Sequence, residues 1–167
     1  MIVYWIFTLV SIQINSDWFT LSRHTFSKLG NPSMARHPKV FWTGLISGGI
    51  LMTLYGVWLS TVGGRVATVG AAYVILSGVF MALIGPIHDG LKAHDTLALL
   101  TFIFFYAGSS LAGLGSHSVF LKIFQPAILA AAILGMALPV WVSLGALELY
   151  EIVLVMISSV LMPIFWR

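Results

Sequence analysis

Residues 40–85 read VFWTGLISGGILMTLYGVWLSTVGGRVATVGAAYVILSGVFMALIG, and the way this stretch divides decides the fold. Two apolar runs, 40–62 and 66–85, are each about twenty residues long, enough to cross roughly 30 Å of hydrocarbon as a helix. Only Gly63, Gly64 and Arg65 separate them. Such a short, glycine-rich connection makes the pair an antiparallel helical hairpin. In lipid every backbone amide must be satisfied within its own segment, and runs this continuously apolar suit helices rather than the alternating strands of a membrane barrel.

The same pattern extends outward in both directions. Further apolar spans cover about 97–114, 123–144 and 147–166, and a shorter one of about fifteen residues opens the chain at 1–15. The expected fold is therefore all-α: an integral membrane bundle of six transmembrane helices with short loops, forming one domain over 1–167. The first span either begins upstream, or is accommodated by local thinning of the bilayer, or is the apolar region of a signal peptide; no basic segment precedes it and no small-residue cleavage site follows before Asp17. Composition agrees: 59% of the chain is hydrophobic, 8% is charged, and mean hydropathy is +1.02. The absence of cysteine excludes disulfides, thiolate metal sites and cysteine nucleophiles. A net charge of +3 in such a chain bears on orientation, not on nucleic acid, and no nucleic-acid partner is expected.

Several polar and small residues read as packing devices. Gly44, Gly48, Gly49 and Gly56 in the second span, with Gly70 and Gly78 in the third, let membrane helices approach closely. Ser109, Ser110 and Gly113 do the same in the fourth. Pro139 frees a backbone carbonyl and is expected to kink the fifth span. Trp18, Trp42, Trp141 and Trp166 fall near span ends, where amphipathic rings prefer the interface. The run Phe102, Phe104, Phe105 and Tyr106 is lipid-facing or packing surface.

Six spans place both termini on one face. That face holds Arg65, His117, Lys122 and Arg167. The opposite face collects every acid in the chain, Asp17, Asp89, Asp95, Glu148 and Glu151, with His24, His37, His88 and His94 and the cations Arg23, Lys28, Arg36, Lys39 and Lys92. This asymmetry is the strongest functional signal. A raw count of Lys and Arg favours placing the polar face in the cytoplasm. If its basic residues belong to a site, they are poor markers of topology, and the expectation is a multi-pass protein of the cell membrane with both termini cytoplasmic. A C-terminal reporter found outside overturns that orientation.

Residues 88–95, HDGLKAHD, are the most polar point. The two His-Asp pairs are six residues apart, roughly 600° or 240° net on a continuous helix, so they cannot share a helical face. A loop through Gly90 is needed to bring them together. Asp95 or Thr96 is placed to cap the fourth helix, which is the structural alternative to a site role for Asp95. The functional alternative gathers His88, Asp89 and His94, with His24, Asp17 or Glu151, at the membrane boundary. Imidazole and carboxylate together bind a divalent ion or act as base and orienter. Candidate catalytic residues are thus His94, Glu151, His88 and Asp89, and candidate metal ligands His88, His94 and Asp89; no cofactor is indicated. Glu148 and Glu151 share a helix face. Glu148 suits a helix N-terminus, whereas Glu151 lies a turn deeper, where ionisable residues are functional candidates or interhelical ion pairs. Arg23, His24, Asp17 and Lys92 are candidates for a headgroup or an ion pair.

The stretches WFTLSRHTFSKLGNPS and VFWTGLISGGILMTLYG, with ALIGPIHDGLKAHDTLALLTFIFF and ELYEIVLVMISSVLMPIFW, resemble the family catalogued as domain of unknown function 998, polytopic membrane proteins of archaea and bacteria. The matching positions are Ser27, Leu29, Gly30, Asn31, Pro32, His94 and Glu151. Lys28 stands where that family commonly has aspartate, and Tyr150 where it commonly has proline. The resemblance implies a six-helix membrane fold and no assigned reaction. A more distant likeness to eukaryotic membrane proteins linked to lipid-anchor remodelling adds a lipid hint by analogy.

Two functions follow. In the first, the polar cluster binds or acts on lipid headgroups, with His94, Glu151 and His88 at its centre and Arg23 or Lys92 holding an anionic group. The second is a noncatalytic structural or accessory subunit of a larger membrane complex or homo-oligomer, in which the same residues form caps and ion pairs. The first requires a pocket at the polar face; the second requires none.

Overall fold

The computed structural model describes residues 2–137 and 143–166. Its helices are α1 (Ile2–Ile14), α2 (Pro38–Val62), α3 (Arg65–Ile84), α4 (Ala93–Gly115), α5 (Val119–Ala137) and α6 (Leu144–Ile164), and a 3-10 turn, Phe26–Gly30, interrupts the long segment between α1 and α2. No strand occurs among the described residues. The five helices α2 to α6 are long and apolar enough to cross a membrane, and the protein is a helical-bundle membrane protein. The thirteen residues of α1 span only about 20 Å at 1.5 Å per residue, less than the roughly 30 Å of a hydrocarbon core.

Neighbours in sequence are neighbours in space, and their pairings run antiparallel. Gly49 faces Gly78 while Gly56 faces Ala71; Gly70 faces Ala112 while Gly115 faces Ala67; Gly44 faces Phe7 while Gly48 faces Tyr4. At Gly49 and Gly78 each glycine lies against the other helix's backbone carbonyl, so any side chain there forces the helices apart. All six glycines assigned to packing are buried. Ser110 and Gly113 pack on α5: the Ser110 hydroxyl donates to the Gln125 carbonyl at 3.2 Å, and Gly113 sits against Gln125 and Leu121. Phe105 and Tyr106 are core residues, and Phe104 stacks on Tyr73.

Three local expectations change. The fourth helix begins at Ala93, so neither Asp95 nor Thr96 caps it; Asp95 lies in its first turn, favoured there by the helix dipole. Leu144 belongs to α6 rather than to the fifth span, because the Ser143 hydroxyl accepts the Ala146 N–H at 3.2 Å and starts a new helix. The fifth helix starts at Val119 and accommodates Pro126 in its interior. The expected kink at Pro139, and Trp141 and Arg167, lie outside the described residues.

Candidate functional site

One end of the bundle is covered by residues 15–37, which fold over it as a cap. Asn15 organises the start of this segment: its side-chain oxygen accepts from the Trp18 indole at 3.2 Å and the Arg36 N–H at 2.9 Å, bringing the two ends of the cap together. The Arg36 and Asp17 side chains pair at 2.9 Å beside it, in an exposed position. At the centre, the 3-10 turn drives Phe26 and Leu29 into the bundle, where both are buried. Phe26 packs edge-on against Trp5 of α1 and lies alongside Phe19.

Five hydrogen bonds seat the cap on the helix ends. The Phe26 N–H donates to a Glu148 carboxyl oxygen at 2.5 Å. Lys28 and Asn31 both reach the Asp89 carboxylate, at 2.9 and 3.0 Å. The Trp42 indole donates to the Gly30 carbonyl at 2.8 Å, and the Ser143 hydroxyl to the Leu21 carbonyl at 2.9 Å. Gly145 lies directly beneath the Leu21 and His24 carbonyls, an approach that a side chain would block. Burial works against the charged form of Asp89. The Lys28 and Asn31 hydrogen bonds and the nearby Lys28 charge outweigh it, and hold the carboxyl below the usual carboxylate range.

Beneath the cap is a cavity of about 70 Å³. Its lining descends α4 from His94 through Ala98 and Thr101 to Phe105, and α2 from Phe41 to Met52. Each path is three turns, roughly 16 Å at 1.5 Å per residue, about half the thickness of a hydrocarbon core. The shape is thus a narrow slot about half as long as a hydrocarbon core is thick. Its lower part is apolar, with Met52, Met81 and Val155; its upper part carries Ser27, His94 and Glu148, and Tyr4 packs edge-on against Phe41 there. Thr101 is polar but satisfied, its hydroxyl donating to the Leu97 carbonyl at 2.9 Å.

His94 is only 4% exposed. Its Nδ1 lies 2.8 Å from the Ile87 carbonyl; because a carbonyl only accepts, Nδ1 carries a proton, and in the neutral form of this tautomer Nε2 is the acceptor. Ser27 Oγ pairs with Thr25 Oγ1 at 2.8 Å, and among the described residues no hydrogen bond joins Ser27 to His94. A nucleophile and base in contact are therefore not formed. The upper cavity presents hydroxyl, imidazole and carboxyl groups.

The residues singled out from sequence separate into distinct places. His94 enters the cavity, and the carboxylate that shares it is Glu148, not Glu151. Glu151 is buried, 4% exposed; the Tyr106 hydroxyl donates to its backbone carbonyl at 2.8 Å, but both carboxyl oxygens lack hydrogen-bond partners among the described residues. His88 stacks on Trp42 with rings nearly parallel, and its Nδ1 meets the Asp89 carbonyl at 2.7 Å. Asp89 is occupied by Lys28 and Asn31. Among the described residues no group of three His, Asp or Glu side chains is placed to hold a metal ion. Arg23 and Lys92 are exposed, Asp17 pairs with Arg36, and His24 packs against Trp18 and accepts the Thr20 N–H at 3.3 Å.

Two features escaped the sequence reading. Ser27, noted only as a matching position, lines the cavity. The inward face of α1 is a polar stripe, Tyr4, Thr8, Ser11 and Asn15, all buried, while Ile2, Ile6, Leu9 and Val10 face outward. The four-then-three spacing of that stripe was the available signal. Both α1 and α6 line the cavity, yet α1 packs on α2 and the 3-10 turn, and α6 on α5 and α4; no extended packing joins α1 to α6 among the described residues. Phe26, touching Trp5 on one side and Glu148 on the other, bridges them at the cap end.

A family model described as "Protein of unknown function (DUF998)" matches residues 1–164. No curated protein matches the chain, and no solved structure does.

Proposed function

The chain belongs to the DUF998 family, and for this member we propose that it binds a single-chain amphiphile from the surrounding membrane. The alkyl chain lies in the slot and the polar end sits among Tyr4, Ser27, His94 and Glu148. The observation that carries this reading is the cavity itself, apolar for most of its length, about half as long as a hydrocarbon core is thick, and polar only under the cap. At about 70 Å³ the slot is smaller than the apolar cavities of about 150 Å³ that take up benzene. Met52 and Met81 supply the remaining room, because unbranched thioether side chains repack readily. The chain reaches the slot sideways between α1 and α6, beneath the Phe26 bridge. A purely structural subunit has no use for such a cavity, which favours binding over that alternative.

The test is native mass spectrometry of the protein purified in mild detergent. Wild type is expected to carry a copurified amphiphile, and Ala98→Trp, which fills the slot, is expected to lose it while keeping its unfolding temperature. Retention of the same adduct by Ala98→Trp overturns the reading.

A further inference from the structure

The polar end of the cavity also says what kind of headgroup it accepts, an inference that rests on the binding reading above. We infer that the ligand is a single-chain lipid with an uncharged, hydroxyl-bearing headgroup, such as a long-chain alcohol or a monoacylglycerol, and that anionic headgroups are refused. Two independent observations lead there.

The first is the placement of positive charge. Among the described residues no lysine or arginine lines the cavity. Lys28 is committed to Asp89 at 2.9 Å and Arg36 to Asp17 at 2.9 Å. Arg23, Lys39 and Lys92 are exposed, and Arg65 and Lys122 belong to the opposite end of the bundle. A carboxylate or phosphate entering the slot finds no lysine or arginine among the described lining residues to pair with, in surroundings that screen poorly. The expectation that Arg23 or Lys92 holds an anionic headgroup has no geometric support here.

The second is the balance of donors and acceptors. Glu148, once its bond from the Phe26 N–H is made, still has lone pairs, and in the neutral Nδ1–H tautomer His94 offers Nε2 as an acceptor. Both seek a donor. The Ser27 and Tyr4 hydroxyls serve either way. A ligand hydroxyl supplies the missing proton and accepts in return; an anionic oxygen cannot donate at all.

The test is competition for a photoactivatable long-chain alcohol bound to the detergent-solubilised protein, using competitors of one chain length: the alcohol, its monoacylglycerol, the fatty acid at neutral pH and the alkyl phosphate. The uncharged competitors are expected to win by at least tenfold, and Glu148→Gln is expected to shrink that preference. Equal or stronger competition by the anions overturns the headgroup inference while sustaining amphiphile binding. Unchanged preference in Glu148→Gln overturns the role given to Glu148. Failure of the alcohol probe to bind the slot at all overturns the binding reading itself.

Discussion

The Glu148 carboxylate on α6 accepts the backbone N–H of Phe26, 122 residues away in sequence, at 2.5 Å. This one side chain both seats the cap and forms part of the cavity wall. Glu148→Ala leaves the Phe26 amide without its acceptor, at a cost of about 1–3 kcal/mol for a buried unpaired donor. Hydrogen exchange at that amide is expected to accelerate markedly in Glu148→Ala and less in Glu148→Gln, which keeps an acceptor oxygen. Unchanged exchange in Glu148→Ala means that the contact does not hold the cap.

Asp89 makes the second seat acid-sensitive. Its carboxyl is held below the usual value by Lys28 and Asn31, against an unfolded reference near 3.9. A lowered folded value stabilises fully above that reference and is lost as pH falls through the folded value. Asp89→Asn is expected to cost on the order of 1 kcal/mol at neutral pH, since Lys28 is partly in solvent. In thermal unfolding, the gap between wild type and Asp89→Asn should be constant down to about pH 5 and close below about pH 4. A gap that widens toward acid contradicts the assignment.

The glycine contact between α2 and α3 has a sharp internal control. A Cβ on Gly49 meets the Gly78 carbonyl and Ala82 backbone, whereas a Cβ on Gly64 meets nothing within 4 Å. Gly49→Val is expected to destabilise by about 1–3 kcal/mol through overpacking, while Gly64→Ala leaves the unfolding temperature within error. Comparable loss from both changes indicates that helix approach is not the reason for Gly49.

Glu151 is buried, and among the described residues both its carboxyl oxygens are unpartnered. Replacing an orphaned buried polar group by an apolar one of similar volume is neutral or stabilising. Glu151→Met is expected to hold or raise the unfolding temperature. A fall of several degrees means that the carboxylate has a stabilising partner.

Much of the framework was legible in the sequence because hydropathy over twenty residues is a local property. The hairpin at 40–85, the packing glycines and the gathering of acids at one end all follow from spacing alone. Helix starts moved by a few residues where capping chemistry, as at Ser143, outweighed hydropathy. The site was less legible, since its contacts join distant segments: Lys28 with Asp89, Phe26 with Glu148, Leu21 with Ser143. No periodicity encodes such pairings. Between Glu148 and Glu151, depth in an apolar run favoured the latter, and the fold of the cap brought the former into the cavity with His94. The Asp89 carboxylate, read as a candidate ligand, is a clamp on residues 28 and 31.

The central claim is that an alkyl chain occupies the slot between α2, α3, α4 and α6. Its most direct measurement is photo-crosslinking of the protein in bilayers with a long-chain alcohol carrying a diazirine near the chain terminus, followed by peptide mapping. Labelling concentrated at Met52, Met81 and Phe105, and abolished in Ala98→Trp, is the expected result. Labelling confined to outward residues such as Ile6, Leu54 and Val79, and indifferent to Ala98→Trp, contradicts it.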